Sequence, residues 1–128
     1  MTIFAQRRMM RAISAVLDEF AEGVNQSDLE AVNNLMLPER RESRTLDRFT
    51  GEFSDRVVRM VPLRTQITLV RSAEGQPYNA LAKIQVSVQS AGGVAGNAIF
   101  LMARTGKRWQ ISDWAAGADF DLVDYGLG

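Results

Sequence analysis

Residues Ala98 to Trp114 read AIFLMARTGKRWQISDW, and no other stretch constrains the fold as much. Ala98 to Ala103 is apolar without interruption, the pattern of a strand covered on both faces and therefore central in a sheet. Thr105-Gly106-Lys107 turns the chain back. Strict alternation then puts Trp109, Ile111 and Asp113 on one face and Gln110, Ser112 and Trp114 on the other, with the two tryptophans on opposite sides. Upstream, Ala82, Ile84, Val86 and Val88 alternate with Lys83, Gln85, Ser87 and Gln89, a half-buried strand. Gly92-Gly93 allows a hairpin loop between the two. Gln66 to Val70 is β-rich, and Glu74-Gly75-Gln76-Pro77 reads as a turn. Four antiparallel strands are expected from Leu63 onward.

The first half of the chain has a different period. Met10, Ile13, Leu17, Phe20 and Val24 recur at steps of three and four, which predicts an amphipathic helix over 4–24. Its charges run against the helix dipole. Arg7, Arg8 and Arg11 occupy the early turns and Asp18, Glu19 and Glu22 the late ones. Each well-placed charge of this kind costs about 0.3–1 kcal/mol. Either packing elsewhere tolerates a solvated face, or the basic end meets an acidic partner or a membrane surface. Ser27-Asp28-Leu29-Glu30 fits a capping box with Ser27 as N-cap, opening a second helix that carries Leu29, Val32, Leu35 and Met36 and stops at Pro38. The connector from Glu39 to Arg44 interleaves both charges and reads as a solvated loop. Leu46, Phe49, Phe53, Val57 and Met60 predict a third helix over 45–60, weakened by Gly51 and ended by Pro62. The tail from Ala115 to Gly128 mixes Phe120, Leu122, Val123, Tyr125 and Leu127 with three aspartates. It adds a strand, covers the sheet or reaches a partner chain.

A chain of 128 residues makes one domain with a real core, here 1–128 with 115–128 as tail or extra strand. Fifteen basic residues cancel fifteen acidic ones, which argues against a general nucleic-acid binder. The absence of cysteine and histidine excludes disulfides, Cys/His zinc sites, a Ser-His-Asp triad and any histidine proton shuttle. Asp119, Asp121 and Asp124 lack the glycine and terminal glutamate of an EF-hand loop, so neither a metal nor a cofactor is expected. No apolar run reaches the length of a signal peptide or a spanning helix. The expectation is a soluble chain, cytoplasmic as given and periplasmic if an upstream segment has been removed.

Helices first and strands after, with Asn25-Gln26-Ser27-Asp28-Leu29-Glu30-Ala31-Val32 at the second helix and Thr105 to Asp113 as a closing hairpin, resembles the nuclear-transport-factor-two-like superfamily. The resemblance covers roughly residues 4–115. It implies an α+β fold: N-terminal helices packed on a curved antiparallel sheet in a cone-shaped single domain. It also implies a pocket at the wide end of the cone, for which Phe49, Phe53, Phe100, Met102, Trp109 and Trp114 are the lining candidates. The same side chains serve equally well to fill a core.

Enzymes of this superfamily place carboxylates, tyrosines or arginines in that pocket. Isomerase-like sites need a base carboxylate with a tyrosine–acid donor pair, and this chain offers only Tyr78 and Tyr125. Epoxide-hydrolase-like sites need an Asp-Arg-Asp cluster. Asp113 and Arg104, on adjacent expected strands, supply at most part of one. Asp113 would be a general base if buried, and Arg104 a clamp for an anion. The opposing reading makes them solvated strand ends. Three functions follow in order: a non-catalytic ligand-binding or assembly module, homodimeric through the sheet face that carries Gln85, Ser87 and Gln89; a small-molecule isomerase, cyclase or hydrolase; and a domain of a membrane-associated secretion or transport assembly. A small apolar ligand is the expected partner of a hollow cone. Membrane association stays open if the chain is part of a longer protein.

Overall fold

The structure, a computed structural model, describes residues 1–70 and 77–125. Three helices, α1 (Ile3–Asn25), α2 (Leu29–Asn34) and α3 (Thr45–Glu52), precede four strands, β1 (Val57–Leu69), β2 (Ala80–Ser90), β3 (Gly93–Thr105) and β4 (Arg108–Ala116). The strands form one antiparallel sheet in the order β1-β2-β3-β4, and the helices pack on one of its faces. This is the expected α+β domain, with β2 and the apolar β3 at its centre. Among the described residues no helix is long and apolar enough to cross a membrane.

The α1 stripe faces the sheet. Ile13, Leu17 and Phe20 are fully buried, and Met9 rather than Met10 begins the buried row. Gly23 brings α2 close, since a Cβ there would lie 2.9 Å from Val32 Cγ2. Asp28, not Ser27, caps α2, its carboxylate accepting from Ala31 N at 3.0 Å. Ser27 is displaced from that role by its left-handed backbone (φ 50°) in the turn that leaves α1. After α2 the chain runs along the free edge of β4. Ile111 N donates to Leu35 O at 2.7 Å and Leu37 N to Ile111 O at 2.8 Å. Pro38–Arg40 is then one 3-10 turn within the charged connector.

The expected third helix is half helix and half strand. α3 ends at Glu52, and Val57 already pairs with Ser90 in the sheet. The cause is a bulge. Val57 pairs with Ser90 and Arg59 with Gln89, which leaves Val58 extra. One inserted residue puts Val57 and Met60 both inward, three residues apart, so the bulged strand copies a helical spacing. The Asn25 side chain fixes the entry, accepting from Val57 N at 2.7 Å and donating to Val57 O at 2.6 Å. Pro62 lies inside β1 next to a second register shift, tolerated because β1 is an edge strand.

A bulge in β4 corrects the expected facing of the tryptophans. Leu101 pairs with Asp113 but Met102 with Ile111, so Ser112 is the extra residue in β4. The parity flips there, and Trp109, Ile111 and Trp114 all join the core beneath the helices. The tail covers the other face of the sheet. Phe120 packs on Ile99 and Leu101, flanked by Ala118, Val123 and Tyr125. Lys83 Nζ donates to Val123 O at 3.1 Å, and Arg64 meets Asp121 at 3.2 Å. The expected turn at Glu74-Gly75-Gln76, and Leu127 of the tail, lie outside the described residues.

Candidate functional site

The densest polar constellation joins α3 to β4. Arg48 Nη2 donates to Asp113 Oδ1 at 2.7 Å and to Trp114 O at 3.0 Å, while its Nε meets Glu52 Oε1 at 3.3 Å. The guanidinium carbon lies 3.9 Å from the centre of the Trp114 ring. The indole completes the circuit by donating from Nε1 to Glu52 Oε2 at 2.8 Å. Burial works against the Arg48 charge, but the carboxylates of Asp113 and Glu52 more than offset it and hold the guanidinium above its ordinary value.

A carboxylate–arginine–carboxylate set resembles, in composition, what hydrolysis of an epoxide would need. Its geometry serves a different purpose. Both carboxylates accept hydrogen bonds from neighbours in the cluster, and Asp113 Oδ1 also accepts from Trp114 N at 2.8 Å. The side chain of Asp113 is 43% exposed and engaged by Arg48, so it does not stand free in a dry cavity as a general base would. The set works as a clamp that pins α3 across the edge of β4. Truncating it as Arg48→Ala is expected to lower stability by about 1–2 kcal/mol, the value of charge-assisted hydrogen bonds discounted for solvent screening. Urea denaturation checks this. A change within the ~0.5 kcal/mol of an ordinary surface substitution would contradict it.

Arg104, the other sequence candidate, lies apart from Asp113. It pairs across the sheet with Trp109, whereas Asp113 pairs with Leu101, three residues further along β3. Arg104 Nε donates instead to Asn79 Oδ1 at 2.6 Å. Nothing in the sequence tied Asp113 to Arg48 across 65 positions, though the i,i+4 spacing of Arg48 and Glu52 was visible.

The candidate pocket residues sit in the interior. Phe49, Phe100 and Met102 are fully buried, and Trp109 and Trp114 nearly so. Phe20 is the hub, its ring centre 5.0 Å from Phe49, 5.8 Å from Trp114 and 5.9 Å from Phe100. Phe53 packs tilted against Phe49 with ring centres 4.9 Å apart and lies 3.4 Å from where a Cβ on Gly96 would be. These are contact distances between aromatic rings, so this part of the interior is filled by its own side chains.

Tyr78 donates a short hydrogen bond to Glu39, tying the 3-10 turn to the start of β2. That bond holds the Glu39 carboxyl below its usual range and pushes the Tyr78 hydroxyl up. In the tail, Asp119 accepts from Asp121 N at 2.9 Å, a local turn bond. Among the described residues no three acidic side chains are grouped to hold a metal ion. No family model matches the chain, and neither a curated protein nor a solved structure matches it.

Proposed function

We propose that this chain is a non-catalytic assembly module of the nuclear-transport-factor-two-like cone type, homodimeric through the outer face of its sheet. The observation that carries the reading is the aromatic cluster around Phe20, in which Phe49, Phe100 and Trp114, candidates for lining a pocket, pack against one ring. A filled interior favours assembly over ligand binding. It also leaves an enzyme without a cavity around its candidate base.

The outer face supports a contact on the half that the tail leaves open. Gln89 of β2 lines up there with Val94 of β3, which is 68% exposed, and the exposed Asn97 lies on the same face opposite the buried Ser87. Uncharged side chains cost little to desolvate against a second sheet. The edges are poorer routes. β1 carries two bulges and Pro62, which discourage edge-to-edge pairing, and residues 35–37 already occupy part of the β4 edge.

The absence of native cysteine makes cross-linking a clean test. Gln89→Cys, Val94→Cys and Asn97→Cys are made singly and oxidised gently, with Lys107→Cys at the far hairpin as control. At least one of the three is expected to give a disulfide-linked species of twice the 14.2 kDa chain mass, faster than the control. Rates no faster than the control at all three would refute the sheet-face contact.

A further inference from the structure

The outward face of α1 carries a charge pattern that reads the same in reverse. Phe4, Arg7, Arg11, Ser14, Ala15, Asp18, Glu22 and Asn25 recur at helical spacing on the side opposite Ile13, Leu17 and Phe20. Arg7, Arg11, Asp18 and Glu22 are all exposed, and none enters an ion pair among the described residues. Within one chain the arrangement is unfavourable twice over. Arg7 and Arg11 are like charges four residues apart, as are Asp18 and Glu22, and both pairs oppose the helix dipole.

We propose that this face pairs α1 with the α1 of a second copy, antiparallel about a two-fold axis between Ser14 and Ala15. Antiparallel register about that point sets Arg7 against Glu22 and Arg11 against Asp18, each twice by symmetry. It converts every like-charge neighbour into an opposite-charge contact. The residues at the crossing, Ser14 and Ala15, are small enough to let two helices approach.

The same register sets Phe4 against Asn25 of the other copy. Phe4 is 71% exposed in the single chain. Asn25 lines a surface concavity of about 340 Å³ with Asp18, Glu22, Val57, Val58 and Arg59 among its other walls, and Val58 is itself 63% exposed. An aromatic anchor thus meets a concavity with an apolar side at each end of the contact. The occupant is a second copy of this chain because the complementarity is internal to the face: basic at one end, acidic at the other, equal in number. The contact lies on the helix layer, opposite the sheet face, and stands or falls independently of that contact.

The test uses Ala15→Cys, which lies beside the proposed axis and reports only on this contact. It is expected to cross-link faster than the Lys107→Cys control. Adding Arg7→Glu with Arg11→Glu, or Asp18→Arg with Glu22→Arg, is expected to slow cross-linking on the order of 100-fold, since like charges then face each other. Both reversals place charges that suit the helix dipole, so an unchanged or higher melting temperature separates lost pairing from lost folding. Mixing the two reversed proteins, or combining all four substitutions in one chain, is expected to restore the original rate. Cross-linking no faster than the control, or indifferent to either reversal, would overturn the proposal. So would Ala15→Cys cross-linking that ignores both reversals while Arg7→Glu with Arg11→Glu abolishes flotation on phosphatidylserine vesicles, which would assign the basic end to a membrane.

Discussion

Replacing Phe20 with alanine is expected to destabilise the fold by about 3–5 kcal/mol, the range for removing a buried aromatic side chain. Phe20 is fully buried and meets Phe49, Phe100 and Trp114 edge-on, so its loss removes three ring contacts at once. Those neighbours come from α3, β3 and β4, and none can collapse into the void without moving its own element. The loss is a large share of the roughly 5–15 kcal/mol that holds a domain of this size. A urea titration measures it directly. The void also gives a second readout, because an apolar cavity of this kind stays dry and accepts a benzene-sized ligand. Benzene is expected to stabilise Phe20→Ala and to leave the parent chain unchanged. Stabilisation of the parent by the same ligand would mean that the interior is hollow.

The second large effect is expected at Phe120, the anchor of the tail. Its ring is 5% exposed on Ile99 and Leu101, with the Arg64 guanidinium 4.2 Å and the Lys83 ammonium 4.6 Å from its centre. Phe120→Ala is expected to cost about 2–3 kcal/mol, below the full core value because the ring packs on the sheet from one side only. Each lost cation–π contact contributes roughly 0.5–1 kcal/mol of this. Urea denaturation checks the size. Proteolysis gives a separate signature, with the tail cut before the sheet. A stability within ~0.5 kcal/mol of the parent would mean that the tail rests on the sheet without holding it.

Much of the architecture was legible in the sequence, and the two largest exceptions share one physical cause. The central strand, both flanking hairpins and α1 follow from apolar runs, alternation and helical period, and the structure has them where those patterns lie. The two large errors both arose at β-bulges. At Val58 an inserted residue gave a strand the spacing of a helix, and at Ser112 one reversed the face of Trp114. A bulge inserts one residue into a period of two, and the pattern alone carries no mark of it. The cap on α2 slipped by one residue because Ser27 and Asp28 are both competent caps, and only the backbone turn decides between them. The clamp was hidden for another reason. Arg48 and Asp113 meet across 65 positions, and the apolar stripe of Leu46, Phe49 and Phe53 carries no mark of a role for the arginine just before Phe49.

The two proposed contacts use the open half of the outer sheet face and the outward face of α1. Their common requirement is self-association, and sedimentation equilibrium of the intact chain over a wide concentration range measures it most directly. The account predicts a mass of twice the 14.2 kDa chain, or a higher multiple if both faces engage, falling toward the single chain on dilution. A mass of 14.2 kDa at every concentration would contradict it, and an assembly role would then need a partner of another kind.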